Sequence, residues 1–120
     1  MKRYHKKLYF PDIEKIKALN SQLNSYNWQY SKHALDNIKY RHIDYIKVLN
    51  FIKDLKLDYN NIFEYYIKDN NIIKVCYRIK FDNISDLILV LSQNKKIITI
   101  YFNNANDKHY TLKKELYQLA

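Results

Sequence analysis

Glycine is absent from this sequence, which has one proline, Pro11, and one cysteine, Cys76. Without glycine, the chain cannot form the glycine-rich loops that hold phosphates or dinucleotides. A single cysteine excludes an intramolecular disulfide and a zinc site built from several cysteines. No apolar run reaches the roughly 18–20 residues that span a bilayer, and no apolar stretch follows the basic N-terminus as it does in a secretory signal. We therefore expect a cytoplasmic protein without metal or cofactor, with turns made by Asn and Asp.

Positive charge is in excess, with 21 Lys and Arg residues against 12 Asp and Glu residues and a net charge of +9. Such a balance favours a polyanionic partner, which is nucleic acid, an anionic membrane surface or an acidic protein. Arginine is rare, and only Arg3, Arg41 and Arg78 occur. The length predicts a single domain over residues 1–120, with a basic N-terminal arm that runs to Phe10.

The first half of the chain has the apolar spacing of helices. We predict helices over 12–24, 32–41 and 45–55. Ser31 and Asp44 are suitable N-caps for the second and third of them. In the third helix, we expect Ile46, Leu49 and Ile52 to point inward.

The second half has the pattern of strands, bounded by Asn-rich and Asp-rich turns. The predicted strands are Ile62–Lys68, Ile72–Phe81, Leu87–Ser92 and Ile97–Phe102, and a short helix follows Thr111. Asp69-Asn70-Asn71 is a hairpin signal in a chain without glycine. The order predicts an α+β fold in which N-terminal helices pack on one face of a four-stranded antiparallel sheet.

A polar stripe runs along one flank of the second predicted helix. His33, Asn37 and Arg41 are four residues apart, so successive side chains turn by about 40° and stay between the apolar stripe and the solvent. Arginine provides a forked donor for phosphate, and histidine transfers protons near neutral pH. The alternative is an exposed helix flank whose side chains form local hydrogen bonds.

The strand Ile72–Phe81 alternates apolar and basic residues, which places Lys74, Cys76, Arg78 and Lys80 on one face. This face is a candidate nucleic-acid surface, and the alternative is an ordinary solvated strand. If the strand Ile97–Phe102 is its neighbour, Thr99 and Tyr101 join Arg78 there, with Asn104 and His109 just beyond. Such residues suit metal-independent phosphodiester cleavage, in which the ribose 2′-hydroxyl of RNA is the nucleophile.

The stretch Tyr30-Ser31-Lys32-His33-Ala34-Leu35-Asp36-Asn37-Ile38-Lys39-Tyr40-Arg41-His42-Ile43-Asp44, followed by Val48, is similar to the N-terminal motif of RelE/BrnT-like toxins. Ile97-Ile98-Thr99-Ile100-Tyr101 resembles their terminal strand, and Arg78 matches a basic residue of their hairpin. The resemblance covers about residues 28–102. Asn37 stands where the group usually has Arg, which leaves open a shifted catalytic set or a loss of activity.

This resemblance implies a RelE-like fold and a metal-independent endoribonuclease toxin that cleaves mRNA or tRNA. The implied partners are RNA, the ribosome and an acidic antitoxin or immunity protein that inhibits the toxin. No membrane partner is implied. The alternative is a non-catalytic basic protein of a phage or mobile element that binds nucleic acid or an acidic host protein. The candidate catalytic residues are His33, Arg41, Arg78, Thr99, Tyr101 and His109. The candidate RNA-binding residues are Lys32, Asn37, Lys74, Lys80 and Asn104.

Overall fold

The helices lie close to where the apolar spacing predicts them. The computed structural model describes residues 2–5, 10–24, 27–40 and 44–106. Its three α-helices are α1 Ile13–Leu23, α2 Lys32–Tyr40 and α3 Tyr45–Lys53, and a 3₁₀ turn covers Tyr59–Asn61. In the described part of the chain, no helix is both long and apolar enough to span a membrane.

Both predicted N-caps are confirmed. The backbone N–H of Ala34 donates to Ser31 Oγ at 3.0 Å, and that of Lys47 donates to Asp44 Oδ1 at 3.2 Å. Each side chain satisfies one of the first N–H groups of its helix, which have no intrahelical acceptor.

The sheet differs from the prediction of four antiparallel strands, which is wrong. Among the described residues, six strands form one mixed sheet in the order β1-β3-β4-β5-β6-β2, with β2 parallel to β6 and the other neighbours antiparallel. The strands are β1 Lys2–His5, β2 Gln29–Tyr30, β3 Ile62–Lys68, β4 Asn71–Lys80, β5 Ser85–Ser92 and β6 Lys96–Asn104. The predicted C-terminal helix lies outside the described residues.

The two strands that the sequence did not reveal are the outermost ones. β1 has four residues and lies in the segment interpreted as a basic arm, and β2 has only two residues. Segments this short carry no readable period-two pattern. They become strands because their backbones pair with β3 and β6, which are far away in sequence.

Asn and Asp make the hairpin turn, as expected without glycine. Asp69 and Asn70, between β3 and β4, have φ angles of 51° and 66°. This left-handed pair is what a two-residue hairpin with the right twist requires. The hairpin between β5 and β6 uses a lysine instead, since Lys95 has a φ of 65°.

The helices pack on one face of the sheet, so the expected α+β layering is correct. Their buried residues form one apolar cluster with the inward side chains of β3 to β6. The expectation for α3 was wrong at Ile46, which is 58% exposed, while Val48 and Ile52 are at most 1% exposed. Val48 and Ile52 are four residues apart, so the buried stripe of α3 runs along their flank.

Candidate nucleic-acid interface

The basic residues of β4 lie on the sheet face opposite the helices. Val75, Tyr77 and Ile79 belong to the helix-side core, so Lys74, Cys76, Arg78 and Lys80, which alternate with them, point to the other face. β5 separates β4 from β6, and the two strands that the hypothesis placed side by side are therefore not neighbours.

Thr99 and Tyr101 nevertheless share this second face with the basic strand. The register places Arg78 opposite Ile88 and Ile88 opposite Tyr101, while Cys76, Val90 and Thr99 form the next row. Two strand spacings separate the ends of each row, which is about 10 Å. Arg78 and Tyr101 are thus on one face, but an apolar residue of β5 lies between them.

The centre of the second face is buried. Cys76, Ile88 and Val90 are 0%, 1% and 4% exposed, and they form a second apolar cluster with Phe63 and Tyr66. This part of the sheet is therefore not the open cationic surface that the alternation of β4 suggested.

Arg78 of β4 makes side-chain bonds to the next two strands of this face, β5 and β6. Its Nε lies 2.7 Å from Asp86 Oδ2 on β5, an ion pair in which both side chains are less than a fifth exposed. Its Nη2 donates to the backbone carbonyl of Asn104 on β6 at 3.2 Å. Asp86 neutralises the guanidinium and holds its orientation, so binding an RNA phosphate there requires competition with a strong charge-assisted bond.

A buried carboxylate, which the sequence did not indicate as a site residue, contacts several side chains at the other end of the face. Glu64 of β3 is fully buried, and its Oε1 lies 3.6 Å from Arg3 Nε on β1. Its Oε2 accepts a hydrogen bond from the Tyr66 hydroxyl at 3.0 Å, with the Cys76 thiol 3.7 Å away. The sequence signal was a single acidic residue within the apolar run of β3.

The side chains around Glu64 are held in their neutral or paired forms. Burial, and then the carboxylate of Glu64, raise the pKa of the Cys76 thiol well above its ordinary value. The same two causes raise the pKa of Tyr66. Lys74 Nζ lies 4.1 Å from the centre of the Tyr66 ring, where the π face attracts a cation. Cys76 is accordingly not an activated nucleophile, since the thiolate is the reactive form.

The polar residues of α2 cover the outer edge of β6. Ser31 Oγ donates to the carbonyl of Ile98 at 2.8 Å, and Asn37 Nδ2 donates to that of Ile100 at 3.3 Å. β2 pairs with β6 only at its first two residues, so these side chains satisfy carbonyls farther along the edge. Asn37 thus has a structural role at the edge of the sheet.

His33 is the exposed part of this flank. Its Nε2 lies 3.4 Å from Asn37 Nδ2, and its neighbour Lys32 is also exposed. The predicted partners Arg41 and His109 lie outside the described residues. Within the described part, the candidate catalytic residues therefore occupy two places, the α2 edge and the second sheet face.

Several exposed lysines of the helix layer form no ion pair with an acidic residue in the described part of the chain. The two ion pairs between described residues both use arginine. Exposed lysines in neither pair include Lys32, Lys39, Lys53 and Lys56, of which Lys53 is at the end of α3. No group of three or more His, Cys, Asp or Glu side chains able to hold a metal ion occurs in the described ranges.

Comparison with protein-family models, with curated proteins and with solved structures finds no match for this chain.

Proposed function

We propose that this chain is a basic RNA-binding protein that contacts phosphates through the lysines of its helix layer. The observation that supports the proposal is a set of exposed lysines, Lys32, Lys39, Lys53 and Lys56, that pair with no acidic residue among those described, in a chain of net charge +9. Unpaired cations release the counterions of a nucleic acid when they bind it, which supplies affinity without sequence readout.

The geometry favours binding over cleavage because the arginine of the sheet is already engaged. Arg78 pairs with Asp86 at 2.7 Å, and Cys76 is fully buried with a raised thiol pKa. A phosphoryl-transfer site needs preorganised donors aimed at the developing charge, and the Arg78 donors are aimed at the Asp86 carboxylate and the backbone carbonyl of Asn104.

The test is binding of a fluorescein-labelled 20-nucleotide single-stranded RNA, followed by anisotropy between 50 and 300 mM salt. For single strands, each phosphate contact adds about 0.7 to the slope of log affinity against log salt concentration. We expect the variant Lys32→Gln/Lys39→Gln/Lys53→Gln/Lys56→Gln to lower that slope by about two to three and to weaken binding at every salt concentration.

The matched control is Lys2→Gln/Lys68→Gln, which removes exposed lysines at the other end of the sheet. The control removes two charges and the test variant four, so a control loss about half that of the test variant would indicate a net-charge effect without a binding surface. Equal affinity for polyglutamate and RNA would refute RNA as the partner and support the alternative of an acidic protein, such as the antitoxin that the resemblance implies.

Endoribonuclease activity is a second candidate, favoured by the exposed His33 beside Lys32 on the α2 flank. There His33 would accept the proton of a ribose 2′-hydroxyl, whose oxygen attacks the adjacent phosphorus. The bond from phosphorus to the 5′-oxygen breaks, and that oxygen takes a proton from water. Incubation of mRNA and tRNA with the protein in chelator, with and without ribosomes, tests it. Products ending in 2′,3′-cyclic phosphate that disappear with His33→Ala support cleavage, and intact RNA at micromolar protein contradicts it.

A further inference from the structure

A cleft of about 330 Å³ opens between the end of α1, strand β2 and the end of α3. Trp28 and Tyr30 line one part of it, and Ile52 and Leu55 line another. The volume lies at the small end of the range for ligand pockets. A cleft with aromatic and aliphatic walls suits a flat, apolar-faced group.

The aromatic wall is held in place by the fold. Trp28 Nε1 donates to the carbonyl of Leu23, the last residue of α1, and Tyr30 lies in β2 opposite Ile97. Both rings pack against the helix-side core. Because the rings are fixed before a ligand arrives, little side-chain entropy is lost on binding.

The α1 side of the cleft is also fixed, by both atoms of one amide group. Asn24 Nδ2 donates to the carbonyl of Leu57 at 2.7 Å, and its Oδ1 accepts from the N–H of Leu57 at the same distance. This pair joins the end of α1 to the segment after α3. Asn24 therefore shapes the cleft, and its hydrogen-bonding groups are already used.

The rim carries groups that are available to a ligand. Asn27 is exposed, and its side chain forms no hydrogen bond with another described residue. Lys53 is an exposed cation on the same cleft, and Lys56 lines an adjoining depression that also includes Lys53. An amide can bond to the edge of a base, and a lysine can pair with the phosphate attached to it.

We propose that this cleft binds one unpaired base of single-stranded RNA against Trp28 and Tyr30, with an adjacent phosphate on Lys53. The inference rests on the proposed RNA binding and assigns its base-contacting site. The charge of the rim favours a nucleotide over an uncharged aromatic ligand, and the open aromatic wall favours an unpaired base over duplex.

Trp28 is the single tryptophan of the chain, so its fluorescence reports on this cleft alone. We expect hexauridylate to change the intensity of this emission as it binds. Inorganic polyphosphate and a hexamer of abasic ribose phosphates should bind by charge and leave the emission unchanged. An equal change with polyphosphate would overturn the assignment of a base to the cleft.

Two mild variants test the contacts without altering the aromatic wall. Asn27→Gly removes the amide at a residue whose φ of 64° glycine adopts freely, and Lys53→Gln removes the cation. We expect each to weaken hexauridylate binding three- to tenfold. The control is Lys68→Gln at the end of β3, four strands from β2 in the sheet, or about 19 Å; its affinity should stay within twofold.

The outcomes separate this inference from the function on which it rests. If labelled RNA binds but the Trp28 emission and the two variants are unaffected, the cleft is not the base site and RNA binding stands. If no RNA binds under any salt condition, the proposed function fails. A peptide with a central tyrosine that changes the emission more strongly than hexauridylate would assign the cleft to protein and overturn the inference.

Discussion

Replacing Arg3 with methionine should destabilise the protein far more than its place near the chain terminus suggests. Arg3 lies on β1 and provides the cation beside Glu64, whose carboxylate is fully buried on β3. Methionine keeps the apolar stem of the side chain and removes the charge. The variant therefore leaves a buried anion with the Tyr66 hydroxyl as its closest donor.

The magnitude follows from burial and distance. Removing one partner of a buried ion pair costs about 3–5 kcal/mol. The Arg3 side chain is 23% exposed and the contact is 3.6 Å long, so the lower end, about 3 kcal/mol, applies. The Arg3 guanidinium also lies 4.9 Å from the centre of the Tyr66 ring, which adds about 0.5 kcal/mol.

Urea denaturation followed by circular dichroism measures the free energy of unfolding for each variant. Arg3→Met/Glu64→Gln, which buries no charge, should recover most of the loss and lie within about 1 kcal/mol of the parent. Lys2→Met is the matched control, because it changes an exposed lysine of the same strand. A loss below 1 kcal/mol for Arg3→Met, or a double variant no more stable than the single one, would refute the reasoning.

Three further predictions concern buried polar groups. Tyr77→Phe should cost about 1–3 kcal/mol in urea denaturation, because Asn20 Oδ1 loses the donor at 2.7 Å that it has in a buried site; an unchanged midpoint would contradict this. Cys76 should not react with Ellman's reagent in the native protein and should react fully in guanidinium, since it is buried with a raised thiol pKa; rapid native reaction would refute that assignment. Burial also raises the pKa of Tyr65, Tyr66 and Tyr77 above the ordinary value of 10.0. As the pH rises, the unfolded chain therefore loses these protons before the folded protein does. The free energy of unfolding should be unaffected by these groups below pH 10 and should fall as the pH rises above it. Melting temperatures and absorbance at 295 nm between pH 8 and 12 test this, and full tyrosine ionisation near pH 10 in a folded protein would disprove it.

Helices and strands that are long enough to show a regular spacing of apolar residues could be predicted from the sequence. α1 to α3 and β3 to β6 begin and end within a few residues of their predicted bounds. Each helix buries one face and repeats apolar residues at the spacing of that face, and the strands bury one or both faces in apolar runs that end at turn residues. The Asp69-Asn70 turn was readable for a local reason as well, since these residues tolerate a positive φ. Strands β1 and β2 could not be predicted, because segments of four and two residues become strands only by pairing with partners that are distant in sequence.

The sequence indicated which residues could belong to the candidate site, but not how their side chains are placed relative to one another. Spacing along β4 correctly placed Arg78 on the face opposite the helix-side core, and could not show that Asp86 of the next strand neutralises it. Asn37 similarly stood on the predicted flank of α2, whereas its bond to the carbonyl of Ile100 depends on where β6 lies. Pairings between residues far apart in sequence carry no local signal.

The sequence by itself determined the basic charge, the exclusion of disulfides and glycine-rich phosphate loops, and most helices and strands, since these depend on composition and local period. Only the tertiary structure decided the six-stranded order, the burial of Glu64 beside Arg3 and the cleft between Trp28, Tyr30 and Lys53. Each of these brings together segments that are distant along the chain. Their free energies depend on distance, burial and charge pairing, which exist only after the chain has folded.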